Sequence, residues 1–162
     1  MESLLNDPSL RGEYTCIEDI IAPGAKELPD HKWYVMRASY CRAQKAVERI
    51  TKYGALTFLP TECKSKVIKG VRHWKKVPCS PTLFFIYGTY EKVRSFTRRN
   101  NQTEEAIPYV DFTFDHTVKD CYGKDTIMTV PFLEMQNFIR MVEAAVPESY
   151  SVTPQEIHYR PG

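Results

Sequence analysis

The residues whose types and spacing best suit chemistry lie between Lys64 and Lys76. Six of the 22 lysines and arginines (Lys64, Lys66, Lys69, Arg72, Lys75, Lys76) fall there with no acid among them, leaving 16 basic residues against 20 acidic ones elsewhere. The formal charge of +2 is therefore a local excess. Lys66-Val67-Ile68-Lys69-Gly70-Val71-Arg72-His73-Trp74-Lys75 reads as two short strands about a Lys69-Gly70 turn, a projecting basic β-hairpin. Cations at Lys66, Lys69, Arg72 and Lys75 suit nucleic-acid phosphates, whose contacts release counterions, and Trp74 between them can stack on a base. A plain solvated hairpin has the same composition, and the two readings weigh about equally.

Catalytic and metal chemistry find no comparable pattern. Cys16, Cys41, Cys63, Cys79 and Cys121 are scattered singly, as are His31, His73, His116 and His158, without the paired spacing of a zinc site. An odd number of cysteines argues for free thiols that mostly pack, not for a disulfide framework. There is no Gly-rich phosphate loop and no nucleophile beside a base, and Asp111 and Asp115 read as solvated carboxylates on one strand face. The residues thus nominate no catalytic group, metal, cofactor or small-molecule substrate.

The elements that must position these side chains follow from periodicity. His31 to Tyr40 is aromatic and β-branched on both faces, which predicts a central strand covered on two sides. From Cys41 onward Ala43, Ala46, Val47, Ile50 and Tyr53 recur at helical spacing, opposite Arg42, Lys45, Glu48, Arg49 and Lys52, and Gly54 is placed to close the helix. Leu56 to Thr61 is a short strand stopped by Pro60. Leu83-Phe84-Phe85-Ile86-Tyr87 is the most apolar run, where alternation sends Leu83 and Phe85 to one face and Phe84 and Ile86 to the other. Thr89 is a plausible N-cap for a helix through about Arg99, with Tyr90, Val93 and Phe96 inward and Arg98 and Arg99 at the C-terminal dipole. Tyr109 to Asp115 alternates with Val110, Phe112 and Phe114 inward. After a turn at Cys121 to Lys124 and a strand over Ile127 to Val130, Pro131 opens a last helix with Met135, Phe138, Ile139 and Val142 on one face.

With 162 residues, 43% of them hydrophobic, the chain can build one core of ordinary size. The expected organisation is an N-terminal extension over residues 1–30, at best partly ordered, with Ile17, Ile20 and Ile21 as a short turn against the body. A domain over residues 31–146 follows, and then a proline-containing linker over residues 147–162. No run approaches the roughly 18 apolar residues of a membrane span, and the start lacks a secretion-signal pattern, so the expectation is a cytoplasmic protein with no membrane partner. Hairpin-like and crossover connections mixed in this order predict an α+β fold, one mainly antiparallel sheet with helices packed on it.

Trp33-Tyr34-Val35 ahead of a basic helix, then Phe58-Leu59-Pro60-Thr61, a basic hairpin, a Pro81-led apolar strand, and Pro131 opening a helix with Met135 and Phe138 together resemble the N-terminal (NGN) domain of NusG-family transcription factors. Within that family the chain is most similar to the RfaH-like and UpxY-like specialised paralogues, over about residues 31 to 145. The resemblance implies a mainly antiparallel four-stranded sheet flanked by helices, in a bacterial, non-enzymatic transcription elongation or antitermination factor. It implies that an apolar concavity grips the clamp helices of the RNA polymerase β′ subunit through Arg37, Phe58, Leu83 and Phe85. It further implies contact of the second helix with the polymerase β subunit near Arg94, Ser95 and Phe96, and contact of non-template DNA with Tyr40, Arg42 and Lys45. The pattern departs from the family at Leu83 and Arg37, where aromatics are usual or frequent. His158-Tyr159-Arg160-Pro161-Gly162 is similar to the approach to the family's C-terminal KOW barrel, a domain absent from this chain. Without the resemblance, the residues alone suggest a nucleic-acid-binding module that uses the hairpin and has no polymerase partner.

Overall fold

The computed structural model describes Tyr14 and residues 16–145. The expected linker over residues 147–162 and the first thirteen residues of the expected extension lie outside the described residues. The fold is α+β, and every strand pairing in it is antiparallel.

Strand β1 (Lys32–Ala38) is the centre of the main sheet. Four consecutive residues, Trp33 to Met36, are buried, as a strand covered on both faces requires. One edge of β1 pairs with β5 (Leu83–Gly88), and β5 pairs with β2 (Leu56–Phe58). The other edge is shared by two short strands, β6 (Val110–Phe112) opposite Met36 to Ala38 and β9 (Thr129–Val130) opposite Trp33 and Tyr34. The sheet therefore has five strands where the resemblance implied four, the fifth being the two-residue strand within the segment Ile127 to Val130 that the sequence marks as extended.

Directly opposed residues share a face, so the registers sort the side chains. Tyr34, Met36, Ala38, Phe84, Ile86, Val110 and Phe112 face one core, closed by Ala43, Ala46 and Ile50 of helix α2 (Ala43–Thr51) and by Val93, Phe96 and Ile107. Gly54, at φ +82°, ends the turn that follows α2 in the left-handed conformation its type permits. Trp33, Phe85, Tyr87, Leu56 and Phe58 face a second core, closed by Phe132, Met135 and Ile139 of helix α4 (Phe132–Ala144) and by Ile20 of helix α1 (Ile17–Ile21). The isoleucine turn anticipated at Ile17 to Ile21 is that helix. Residues 16–30 are built into the domain: Ile20 is fully buried, Gln136 donates to the Ile20 carbonyl at 2.8 Å, and the Leu28 N–H donates to the Tyr87 hydroxyl at 2.8 Å. Burial pushes that hydroxyl up to about 12.

Between β2 and β5 the chain leaves the main sheet as a hairpin, β3 (Thr61–Ile68) with β4 (Val71–Pro78). Lys69 and Gly70 form its two-residue turn with φ of 53° and 80°, the pair of positive values a type I′ connection needs.

Helix α3 (Tyr90–Arg94) is shorter than expected. Thr89 caps it by accepting from the Lys92 N–H at 3.3 Å, but buried Thr97 turns back to donate to the Arg94 carbonyl at 2.8 Å, and the helix stops. Arg98 and Arg99 consequently lie in a loop instead of a last helical turn. The Tyr109–Asp115 strand is also broken, at Thr113. Its N–H donates to Val35 of β1, after which β7 (Phe114–Lys119) leaves to pair with β8 (Asp125–Ile127). No helix among the described residues is long and apolar enough to cross a membrane.

Candidate functional site

Three surfaces carry the residues nominated from sequence. The first is the stretch of the main sheet around Leu83, at the margin of what α4 covers through Phe138. On β5, Phe84 and Ile86 are fully buried in the first core, whereas Leu83 is 38% exposed and Phe85 is half-buried on the opposite face. Arg37 stands opposite Leu83 on β1, and Phe58 opposite Phe85 on β2. Phe58, Phe85 and Phe138 meet as an aromatic cluster with centroids 5.9 to 6.5 Å apart. Phe58 is only 6% exposed, so it forms the floor of this surface while Leu83, Phe85 and Arg37 form its reachable part.

The residues nominated beside the second helix are not brought together at the surface. Phe96 is fully buried in the first core, under Ile107 and against the Tyr53 ring, so a partner cannot reach it without opening that core. Arg94 is exposed and Ser95 half-buried, its hydroxyl held on the Lys92 carbonyl.

The second surface is a concavity of about 990 Å³ beside β6. It gathers Arg37 from β1, Arg42 and Arg49 from around α2, and Arg98 and Arg99 from the loop after α3, with Asp111 as the one carboxylate in its lining. Tyr40 and Arg42, nominated for nucleic acid, both line it, and Tyr40 is 81% exposed. The Arg42 guanidinium lies 5.5 Å from the Tyr40 ring and 5.2 Å from the Tyr109 ring. This arrangement depends on a strained connection, since Tyr40 and Cys41 are consecutive non-glycine residues at φ of 60° and 57°. The backbone around the strain is fixed by the Ser39 N–H on the Tyr109 carbonyl at 2.8 Å and the Ala43 N–H on the Pro81 carbonyl at 2.9 Å. Lys45, the third nominated residue, is exposed on α2 but outside this lining.

Asp111 corrects the expectation of a solvated carboxylate. Its side chain is 17% exposed and accepts from Arg98 Nε at 3.0 Å, Arg99 Nε at 2.8 Å, Arg99 Nη2 at 3.2 Å and the Phe112 N–H at 2.8 Å. Burial works to raise this carboxyl, but the hydrogen bonds from Arg99, the Phe112 N–H and Arg98 outweigh it and hold the group below the ordinary carboxylate range. Arg98, Arg99, Tyr109 and Asp111 were not singled out from sequence as binding residues. An Arg-Arg pair followed by an acid in an alternating strand is the signal that was there to use.

The third surface is the hairpin, whose register separates the cations assigned to it. Lys64 opposes Lys75 and Lys66 opposes His73 on one face, whereas Trp74 opposes Ser65 and Arg72 opposes Val67 on the other, with Lys69 in the turn. Trp74 therefore shares a face with Arg72 and not with Lys66 or Lys75. Its Nε1 is shut off from water without a hydrogen-bond partner, which suits a ring packed against the ribbon better than one standing free. Arg72 donates to the Ser65 hydroxyl at 3.0 Å, and Lys64 pairs with Glu62 at 3.3 Å.

Among the described residues no three His, Cys, Asp or Glu side chains gather as a metal site. The five cysteines are free, but Cys41, Cys79 and Cys121 are exposed where packed thiols were expected. No family model matches the chain, and no curated protein matches it.

Proposed function

We propose that the chain is a non-enzymatic transcription elongation or antitermination factor of the NusG type, holding the β′ clamp helices of RNA polymerase on the open end of its sheet and non-template DNA on its basic surfaces. The observation that carries this reading is the division of β5: Phe84 and Ile86 are consumed by the core, while on the opposite face Leu83 is exposed beside Arg37 and Phe85 is half-buried next to Phe138, an apolar strip that the fold covers only in part. Helix-in-groove recognition needs such a strip, with a few apolar anchors and a charged rim. The β-subunit contact narrows to Arg94 and Ser95. The arginine concavity lies alongside, so a strand of DNA and a polymerase helix can be held by one rigid body.

The concavity by itself favours a second reading, a nucleic-acid-binding module with no polymerase partner. Co-purification separates the two. A tagged chain retaining core RNA polymerase through a salt wash, and losing it on Phe85→Ala, supports the first reading. DNA binding without polymerase retention supports the second.

A further inference from the structure

Five guanidiniums in one concavity repel each other, and a lone carboxylate among them has either of two roles. It relieves that repulsion, at a cost to any anion the site receives, or it fixes where the guanidiniums point. Geometry distinguishes them. Asp111 takes the Nε–H of both Arg98 and Arg99, so each guanidinium is gripped from its inner side. Arg99 also gives Asp111 its Nη2 at 3.2 Å, and the remaining Nη N–H groups of the pair are left for a ligand. Arg99 is fixed a second time by its guanidinium lying 5.3 Å from the Phe114 ring. The backbone beneath is locked as well: the Arg98 N–H donates to the Val110 carbonyl at 2.9 Å, the Arg99 N–H to the hydroxyl of buried Thr97 at 3.2 Å, and Asn100 Nδ2 to the Ser95 carbonyl at 2.8 Å. Adjacent residues normally diverge. Here one carboxylate turns two neighbouring side chains into a single fork.

We propose that Asp111 is a positioning residue that presents Arg98 and Arg99 as a rigid fork to the phosphodiester backbone of a single nucleic-acid strand. The inference rests on the nucleic-acid part of the function proposed above and names how that contact is built. The ligand class follows from size and lining. About 990 Å³ is far more than one phosphate needs, and the aromatic rings of Tyr40, Tyr109 and Phe114 beside the guanidiniums suit unstacked bases. Planar guanidinium donors in fixed positions recognise phosphate oxygens in pairs, which a freely moving lysine cannot do.

The two roles of Asp111 predict opposite signs, which makes the test direct. Fluorescence anisotropy with a labelled oligothymidine would be titrated over a series of salt concentrations for wild type, Asp111→Asn, and the charge-preserving pair Arg98→Lys with Arg99→Lys. The positioning account predicts that Asp111→Asn binds about tenfold more weakly although it adds a unit of positive charge. Its salt dependence should become shallower by about 0.7 for each phosphate that is no longer neutralised. The double lysine variant, exposed and neutral in charge change, is expected to fall by a similar factor. Adding Asp111→Asn to the double lysine variant should then cost little more, since there is no fork left to position. Tighter binding by Asp111→Asn with an unchanged salt slope overturns the proposal and makes Asp111 a repulsive charge only. Wild-type affinity in the double lysine variant overturns it too, while leaving DNA binding through other cations intact. Failure of the wild-type chain to bind the oligonucleotide at low salt overturns the nucleic-acid reading together with this inference.

Discussion

The two faces of the main sheet are made of similar residues and finished differently. On the face under α2 and α3, apolar side chains from Tyr34 to Phe112 are closed over along the whole width of the sheet. On the other face α4, thirteen residues and so about 20 Å long, together with α1 covers the Trp33–Tyr87 end, reaches Phe85 and Phe58 through Phe138, and leaves Leu83 and Arg37 exposed. One face is a finished core, and the other is a core for half its extent and a surface for the rest. Full burial of a leucine is worth about 1.5–3 kcal/mol, and at Leu83 the fold leaves part of that unrealised. A partner helix laid across the strip would realise it.

The largest expected effect lies in the finished core. Phe84→Ala should cost about 3–5 kcal/mol in denaturant unfolding, because the ring is fully buried and the neighbours cannot collapse into its place. A loss below about 1 kcal/mol would erase the distinction between the faces. Next is the closure of the half-covered face. Gln136→Ala removes the donor to the buried Ile20 carbonyl and should cost about 1–3 kcal/mol, read as a lower unfolding midpoint.

Asp111 gives a smaller, pH-dependent effect at the edge of the open face, of about 1 kcal/mol for partly exposed ion pairs. Its carboxyl is lower in the folded chain than in the unfolded one, so the stability it contributes is fully present above the ordinary carboxylate value of about 4. That contribution disappears as pH falls through the lower folded value. Melting wild type and Asp111→Asn from pH 6 to pH 2.5 should show a gap that closes toward the acid end, and a constant gap would refute the ion-pair account. The open strip gives an effect of similar size, where Leu83→Ser should cost about 1 kcal/mol at equilibrium unfolding, well under the Phe84→Ala loss, because only part of the leucine is removed from water.

How much of this was legible depended on whether the residues concerned are neighbours in sequence. The alternation along Leu83 to Tyr87 sorts the side chains into the two faces the structure shows, because a strand's period is two and needs no tertiary information, whereas which face is the more deeply buried does not follow from alternation. The turn at Lys69 and Gly70 was legible for the same local reason. The separation of the hairpin's cations into two faces was not, since it depends on which residue opposes which across the ribbon. The arginine concavity is not legible locally because it draws on β1, α2, the loop after α3, β6 and β7, up to 79 positions apart from Arg37 to His116. Arg98 and Arg99 are helix-end charges only if α3 reaches them, and it is the tertiary burial of Thr97 that ends the helix early. Ile20 stands out by its spacing with Ile17 and Ile21, but nothing local marks Leu28, which is core because the second face of the sheet receives it.

The central claim is that the strip left open by the fold is the one that binds polymerase, and titration with a fragment carrying the β′ clamp helices tests it most directly. Phe85 is half-buried, with Phe58 and Phe138 against its ring, so Phe85→Ala should remain folded and lose less than the 3–5 kcal/mol expected for Phe84→Ala. As a central anchor, however, its truncation should weaken binding of the fragment by about 2 kcal/mol or more, roughly thirtyfold. Phe84→Ala, measured where it is still folded, should bind as wild type does. Undiminished binding by Phe85→Ala, or a loss confined to Phe84→Ala, would contradict the account.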